Sequence, residues 1–376
     1  MLNMLPWRGF CMKIHGNFVG GNIRVLKQEG NVIYVDNNLR DTTCDWFYWA
    51  FCVEGAAGKT LAFQFRDTRL GYWGPAVSHD LYHWEWLCVK DGDSFTYNFG
   101  ETEDKVYFAH HMLYHPVRFE TFATAHGLEI KTLAISEKGR EIPYVEWDRQ
   151  PIAAKKGDIP VKEFDTRKIL LTARHHACES TGNYILEGIL DELTKKPMEG
   201  YSVMCVPFVD YDGVVDGDQG KNRYPHDHNR DYEADKPAIY ASVAAIRKYI
   251  AEENVVFGFD FHAPFHSGGV RDTCFIVQKS KKDLKKLNRF GELFQANITP
   301  EAFQYMHAND YPPDFGWNKS GAPTFAACVM EKESAELAFT LETTYFGTQN
   351  NVFTAEKVIE TGRCFARALR KYIANL

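Results

Sequence analysis

Four apolar runs, interleaved with segments in which apolar residues recur at helical spacing, constrain the fold of this chain most strongly. The runs are RKILLTA, YSVMCVPFV, NVVFGFDFHA and LAFTLETT. After the first run, Ile185, Ile189 and Leu193 share one helix face. Buried strands that alternate with amphipathic helices predict an α/β domain with a mixed, mainly parallel sheet flanked by helices. In such domains ligands bind at the carboxyl ends of the strands.

The first third of the chain has a different pattern. It consists of short strand-like segments rich in aromatic residues and separated by glycine, asparagine and aspartate. Several of these segments alternate aromatic residues on one face, which is typical of a small antiparallel sandwich. We therefore predict an N-terminal antiparallel β-sandwich over residues 1–108 and an α/β domain over residues 109–376.

Charge and composition exclude several classes of function. The formal net charge of -7 argues against a general nucleic-acid-binding protein, which needs a basic surface. No run of about 18 apolar residues is present, so we expect no membrane span. The N-terminal apolar stretches are broken by Pro6, Arg8 and Lys13, unlike those of a signal peptide. Nine cysteines without a CxxC pair indicate reduced thiols in the cytoplasm, so any metal should be held by histidines and carboxylates.

The segment TARHHACES contains an HxxE motif where the first apolar run ends. His176 and Glu179 are three residues apart at a strand-to-helix junction, so both side chains can point into one site. Imidazole and carboxylate groups are common zinc ligands. His175, four residues before Glu179, is an alternative ligand. So short a motif also occurs often by chance. The alternative interpretation is that these residues have only a structural role.

Two further polar residues lie in apolar strands. His262, in FGFDFHAPFH, suits a third metal ligand, although a hydrogen-bonded core histidine is an equal interpretation. Two histidines and one glutamate, with one position open for water, form the ligand set of a hydrolytic zinc site. Glu342, in LAFTLETT, is either half of a buried salt bridge or a base beside that water, because an unpaired buried carboxylate is costly.

The segment PFVDYDGVVDGDQGKNRYPHDHNRDY is unusually dense in charged and polar residues. A long polar turn held by salt bridges is one interpretation. Alternatively, Asn229 and Arg230 could bind a carboxylate, since a guanidinium group recognises one with two hydrogen bonds. Arg223 could stabilise a developing oxyanion. Asp227 could accept a hydrogen bond from the outer ring nitrogen of a ligand histidine.

In this order along the chain, the motifs resemble those of the zinc carboxypeptidase (funnelin) family. The similarity includes HxxE, a DYDG turn, an Asn-Arg pair, a strand-borne histidine and a strand-borne glutamate. It is greatest to the cytosolic carboxypeptidase branch and its bacterial relatives, in which an aromatic-rich β-sandwich precedes the peptidase domain. Here WFYWAFCV, residues 46–53, stands in that place. The resemblance covers residues 20–342.

The resemblance implies a metal site and a base. It makes His176, Glu179 and His262 the ligands of one Zn²⁺ per chain, and Glu342 the general base. The expected activity is hydrolysis of the C-terminal amide bond of a peptide. The expected partner is therefore a peptide or protein C-terminus, with neither nucleic acid nor membrane, and the oligomeric state stays open.

The resemblance also implies the residues around that site. It makes Asn229 and Arg230 the clamp on the terminal carboxylate of the substrate. It makes Asp227, two residues before Asn229, the hydrogen-bond partner of the first ligand histidine. This alignment with the family favours His176 over His175 as that ligand. Arg223 would stabilise the oxyanion.

One departure concerns specificity. Relatives that remove glutamate carry an arginine fifteen residues before the catalytic glutamate, and this chain has Ala327 there. A preference for glutamate is therefore not supported, unless a basic residue such as Arg271 enters the pocket from elsewhere.

Two other functions are compatible with parts of the pattern. Deacylases of N-acyl amino acids, of the aspartoacylase and desuccinylase type, share HxxE and a downstream histidine, but the aromatic N-terminal segment argues against them. An inert binding protein is the other alternative, and the presence of every catalytic position argues against it.

Overall fold

The computed structural model describes residues 12–67, 69–147, 167–263, 272–279 and 281–376. The N-terminal stretch that the sequence distinguishes from a signal peptide therefore lies largely outside the described residues, and Arg271 lies outside them too. Within these ranges, no helix is both long and apolar enough to cross a membrane.

The first part of the chain forms two sheets. One has the strand order β1-β4-β9-β6-β7 with antiparallel pairing throughout, and the other has the order β2-β3-β5-β8. The nine strands, β1 to β9 in chain order, are Lys13–His15, Arg24–Glu29, Val32–Asp36, Ala50–Glu54, Thr60–Gln64, Ala76–Ser78, Glu85–Trp86, Ser94–Asn98 and Lys105–Ala109.

The two sheets share an aromatic core. Phe51 and Phe108 from the first sheet face Phe63 and Phe95 from the second, with ring centroids 5.1–6.5 Å apart across the sheets. The sequence predicted wholly antiparallel pairing here, whereas β3 and β5 are parallel. The chain between them crosses to the other sheet to form β4, and it returns in its original direction.

The second part is a mixed α/β fold, as predicted. Its seven-stranded sheet has the order β10-β11-β13-β12-β14-β16-β15. The elements that follow β9 in chain order are α1 Pro116–Ala125, β10 Ile130–Ile135, β11 Glu141–Trp147, β12 Arg167–Ala173, α2 Thr181–Lys195, β13 Tyr201–Val206, α3 Tyr211–Asp216, α4 Ala241–Glu252, β14 Val255–His262, β15 Phe275–Val277, α5 Leu284–Asn297, α6 Phe325–Met330, β16 Leu337–Glu342, β17 Gly347–Thr348, β18 Asn351–Val352 and α7 Ala355–Ile373.

The four central strands of this sheet, β13, β12, β14 and β16, are parallel. The β10–β11 hairpin extends one side of the sheet and β15 extends the other, and the three pairings that these strands form are antiparallel. Parallel pairing therefore accounts for half of the sheet rather than for most of it. The central strands are buried almost throughout, which explains why they appear in the sequence as continuous apolar runs.

Helices α2 and α7 pack on one face of the sheet with their backbones in close contact. A Cβ added at Gly188 would lie 1.9 Å from the carbonyl oxygen of Ile359, and one added at Gly362 would lie 2.1 Å from that of Ile185. Glycine at both positions therefore lets the helices approach closely. This packing fixes α2, whose N-terminal end follows the HxxE segment.

Candidate metal centre

The candidate residues meet where the central strands end. His262 is the last residue of β14 and Glu342 the last of β16, and the two are direct partners in the parallel register. His176 and Glu179 follow β12 in the turn that leads into α2. The parallel strands thus bring together side chains that are up to 166 residues apart, between His176 and Glu342.

His176, Glu179 and His262 each present one ligand atom, and these atoms lie within 4.8 Å of one another. Nδ1 of His176 lies 2.8 Å from Glu179 Oε1, and Nδ1 of His262 lies 2.7 Å from Glu179 Oε2. The two Nδ1 atoms are 3.2 Å apart. All three residues are at most 2% exposed. Water competes little for these donor atoms.

The outer ring nitrogens of both histidines contact carboxylates. Nε2 of His176 lies 3.2 Å from Asp227 Oδ1, as the sequence predicted, and Nε2 of His262 lies 2.6 Å from Asp260 Oδ2. A neutral imidazole has one N–H group, and a carboxylate partner holds it at Nε2. Both Nδ1 lone pairs then face each other beside an ionised glutamate. A divalent cation fits this donor set and leaves a coordination position free.

The charges of the site agree with this interpretation. Burial alone would raise the pKa of Glu179, but His176 and His262 lower it well below the usual range, so the carboxylate is ionised. Burial likewise lowers the pKa of His262, and Asp260 and Glu179 overcome this and raise it well above the usual value. A proton on His262 thus balances the two carboxylates. Binding of a metal ion would displace that proton and take over its charge.

Glu342 lies beside this centre, and one of its carboxylate oxygens forms no hydrogen bond within the described part of the chain. Its side chain is buried, and Oε2 has no hydrogen-bond partner among the described residues. Burial raises its pKa to about 7, although the nearby His262 acts in the opposite direction. A carboxylate that takes up and releases a proton near neutral pH is suited to acid-base catalysis.

Asn229 and Arg230 lie in a short 3-10 helix, His228–Arg230, that begins at the carboxylate of Asp227. Oδ1 of Asn229 accepts a hydrogen bond of 3.1 Å from the Phe325 N–H group at the start of α6. Nη1 of Arg230 donates to the Asn229 carbonyl at 2.8 Å. No carboxylate lies within ion-pair distance of Arg230 in the described part of the chain, so its guanidinium group is available to an anion.

Arg223 has a different environment. Its Nε donates to Asp210 at 2.9 Å, and its Nη2 donates to Asp218 at 2.9 Å. Only Nη1 lacks a carboxylate partner among the residues that the structure describes. The salt-bridged interpretation of this polar segment therefore applies to Arg223. In the same segment Asp227 contacts His176, and Nδ2 of Asn229 lies 3.2 Å from Nε2 of His262.

The sequence did not reveal the role of Asp260. This residue lies between two histidines, because Oδ1 is 2.8 Å from His175 Nδ1 while Oδ2 contacts His262. The other nitrogen of His175 is 2.7 Å from the Tyr232 hydroxyl. Both nitrogens of His175 thus contact groups outside the HxxE motif, whereas Nδ1 of His176 contacts Glu179, which favours His176 as the ligand. The signal for Asp260 was its spacing, since residues i and i+2 of a strand share one face.

A close backbone contact positions Asp227 beside His176. Gly220 has a φ of +75°, and a Cβ there would lie 2.1 Å from the Ala177 nitrogen. The carbonyl of the preceding Gln219 accepts a hydrogen bond from the Cys178 N–H group at 3.2 Å. Glycine allows the polar segment to lie directly against the HxxE turn.

No protein-family model matches the chain. Among curated proteins, cytosolic carboxypeptidase 2 of Xenopus tropicalis is 23% identical over 349 residues, which cover 84% of this chain and 34% of that protein. Cytosolic carboxypeptidase 3 of Bos taurus is 25% identical over 206 residues, which cover 50% of this chain and 20% of that protein. The chain therefore spans about a third or less of the length of these relatives.

Solved structures share the fold. A carboxypeptidase structure from Burkholderia mallei has a TM-score of 0.79 at 18% identity, and it covers 98% of each chain. A metallo-carboxypeptidase from Pseudomonas aeruginosa, in complex with (2-guanidinoethylmercapto)succinic acid, has a TM-score of 0.76 at 19% identity and covers 96% of this chain and 99% of its own. The chain is thus similar in sequence to the cytosolic carboxypeptidases and has the fold of the bacterial metallo-carboxypeptidases, in agreement with the resemblance identified from the motifs.

Proposed function

We propose that this protein is a zinc-dependent metallocarboxypeptidase that removes the C-terminal residue of a peptide by hydrolysis. The convergence of His176, Glu179 and His262 on one point, with the unpaired Glu342 beside it, carries this proposal. A mixed nitrogen and oxygen ligand set with a free position suits zinc in a hydrolytic site. The sequence similarity to cytosolic carboxypeptidases supports the same activity.

Each residue of the site has a step in the proposed mechanism. When bound, zinc supplies a Lewis acid that polarises the scissile carbonyl and acidifies water. Glu342 removes a proton from the attacking water and delivers it to the leaving amine. Asn229 and Arg230 bind the terminal carboxylate of the substrate. Asp227 and Asp260 hold the two ligand histidines in one tautomer and orientation.

We propose a smaller catalytic role for Arg223 than the sequence implied, because most of its guanidinium group is engaged in salt bridges. Its Nε and Nη2 are occupied by Asp210 and Asp218. We therefore propose that only Nη1 is available to an oxyanion, and that Arg223 mainly braces the polar segment that carries Asp227.

The organisation of the whole chain is also part of the proposal. We propose a sandwich domain over residues 1–108 and a catalytic domain over residues 109–376, although β9 ends at Ala109 and the largest apolar core includes residues from both parts. The eight cysteines within the described ranges are free thiols, which supports a cytoplasmic location. The proposed partner is a peptide or protein C-terminus.

The zinc-loaded protein should release free amino acids from peptides with a free C-terminus. Blocking that carboxylate as an amide should lower kcat/KM by about 10–100-fold, since the charge-assisted hydrogen bonds to Arg230 are lost. Amino-acid analysis of the products measures both rates. Hydrolysis of N-acyl amino acids without cleavage of peptides would instead support the deacylase alternative, and zinc binding without hydrolysis of either would support an inert binding protein.

Substitution of Arg230 by methionine should raise KM for unblocked peptides by roughly 10–100-fold, because a charged hydrogen-bond donor is removed. It should have little further effect on amidated peptides, which lack the charge that Arg230 binds. Arg289, which contacts the carbonyl of Asn375 at the C-terminus, provides the matched control. If Arg230→Met and Arg289→Met have equal kinetics, Arg230 does not bind the substrate carboxylate.

A further inference from the structure

A loop of the N-terminal sandwich lies along the polar segment that follows α3. This loop, residues 40–43, connects β3 to β4, and we call it the sandwich loop. Nε of Arg40 donates to the carboxylate of Asp218 at 2.7 Å, and Oγ1 of Thr42 donates to the carbonyl of Lys221 at 2.6 Å. The first part of the chain therefore contacts the second part at the segment that approaches the candidate metal centre.

Asp41 binds two successive backbone N–H groups of that segment. Its Oδ1 accepts from the Gln219 N–H group at 3.0 Å, and its Oδ2 accepts from the Gly220 N–H group at 2.8 Å. Nη2 of Arg223 lies 3.8 Å from the same carboxylate, and the Tyr224 N–H group donates to the Asp41 carbonyl at 2.8 Å. Successive N–H groups in a turn form a concavity that binds an anion, and the φ of +75° at Gly220 is typical of such a turn. Here the anion is a buried side chain of the sandwich.

The side chain of Gln219 fixes the same point. Its Oε1 accepts from the Tyr48 N–H group at 2.9 Å, and its Nε2 donates to the Tyr48 carbonyl at 2.8 Å. Gln219 is fully buried, so water does not compete for these two hydrogen bonds. The carbonyl of Gln219 accepts from the Cys178 N–H group at 3.2 Å, within the HxxE turn. One residue thus joins the backbone of the sandwich to the turn that carries His176 and Glu179.

Further along, the same segment holds the carboxylate of Asp227. The Thr43 N–H group donates to the Asn222 carbonyl at 3.2 Å, and the Asn222 N–H group donates to Asp227 Oδ2 at 3.2 Å. Oδ1 of Asp227 is the oxygen that contacts Nε2 of His176. The sandwich loop therefore fixes the backbone from which Asp227 reaches a proposed metal ligand.

On the basis of the proposed metal centre, we propose that Asp41 is a positioning residue of that centre. It fixes residues 219–222, and through them it sets where Asp227 holds the imidazole of His176. Asp41 contributes no ligand atom to the three-residue metal group, so it acts through the orientation of a ligand. The zinc affinity of the second part of the chain then depends on a carboxylate that the first part supplies.

The substitution Asp41→Asn tests this inference, because it keeps the shape of the side chain and replaces one of the two accepting oxygens by an NH₂ group. We expect zinc affinity, measured by competition with a chelator, to fall by about 10-fold, the lower end of the range that follows loss of an outer-shell partner. In an Asp227→Asn background the same substitution should cost much less, because the group through which Asp41 acts is already weakened. If Asp41→Asn does not fold, Thr42→Val removes one hydrogen bond of the sandwich loop and should lower zinc affinity by about 2–5-fold.

Asp36→Asn is the matched control within the sandwich. Asp36 is also buried, but its carboxylate accepts from Arg24 Nη2 at 2.9 Å and from the Asn37 N–H group at 3.0 Å, and both partners belong to the sandwich. This variant should lower the melting temperature of the metal-free protein and leave zinc affinity unchanged. The comparison separates a positioning role from a general loss of stability.

Three results would overturn the inference and leave the proposed function intact. They are wild-type zinc affinity in the folded sandwich-loop variant, an equal loss of affinity in Asp36→Asn, and an equal cost of Asp41→Asn with and without Asp227→Asn. A wild-type protein that binds no zinc would overturn the proposed function, and the inference with it.

Discussion

Substitution of Glu342 by glutamine should nearly abolish peptide hydrolysis, with a loss in kcat of about 10²–10⁴-fold, the usual contribution of a general base. Glutamine preserves the size of the side chain but does not accept a proton. Glu342 contributes no ligand atom to the three-residue metal group, so the variant should still bind one zinc ion per chain. Rates with the zinc-loaded variant and its metal content, measured on the same sample, check both parts.

Two controls make this prediction specific. Glu333, an exposed residue shortly before β16, gives a matched Glu→Gln variant that should retain full activity. In the wild type, activity should fall as the pH drops through the pKa of Glu342, because only the ionised form is a base. The midpoint of this fall in activity should lie at a pH between 4.5, the ordinary pKa of a glutamate, and about 7, because a bound cation would stabilise the carboxylate. Full activity of Glu342→Gln would remove this residue from the mechanism.

Loss of a proposed metal ligand should have an equally large effect. His262→Ala removes one donor and leaves Glu179 and Asp260 without their shared partner. We expect metal affinity to fall by more than the ~10–100-fold that follows loss of an outer-shell partner. Hydrolysis should be undetectable at zinc concentrations that saturate the wild type. Metal analysis after dialysis gives a measurement that is independent of activity.

The exposed His83 is the control for this variant, since its ring contacts the nearby Asp80 and Tyr82. His83→Ala should retain one zinc ion per chain. Removal of zinc from the wild type by a chelator should lower the melting temperature, because a ligand that binds only the folded state stabilises it. If His262→Ala retains wild-type zinc content, the proposed metal centre is wrong.

The sequence was most informative where function depends on local spacing. The HxxE turn, the Asp227–Asn229–Arg230 segment and the strand-borne His262 and Glu342 each combine a polar residue with a recognisable end of a strand. Parallel strands that end at one edge bring such residues together, and the order of the motifs along the chain supported the resemblance that implied the cluster. The central strands likewise appeared as apolar runs, because both faces of the sheet are covered.

The sequence was least informative where a role depends on contacts between distant segments. Lys279 belongs to the run KSKKD, which is typical of a solvated surface, yet its side chain is partly buried, donates to Asn318 and lines a cavity together with residues of α6. Arg223 appeared free to meet a substrate because the sequence does not reveal that Asp210 and Asp218 fold against it. The parallel β3–β5 pairing was missed for a similar reason, since the intervening crossover leaves no local signal.

The side-by-side positions of His262 and Glu342 on β14 and β16 have a consequence for heat inactivation. Adjacent strands are about 4.8 Å apart, a distance maintained by backbone hydrogen bonds inside the core. The proposed base and one proposed metal ligand therefore need no moving lid to assemble them. In a protein built this way, the reacting groups stay aligned until the central sheet itself separates, so warming should end catalysis and melt the core in a single step.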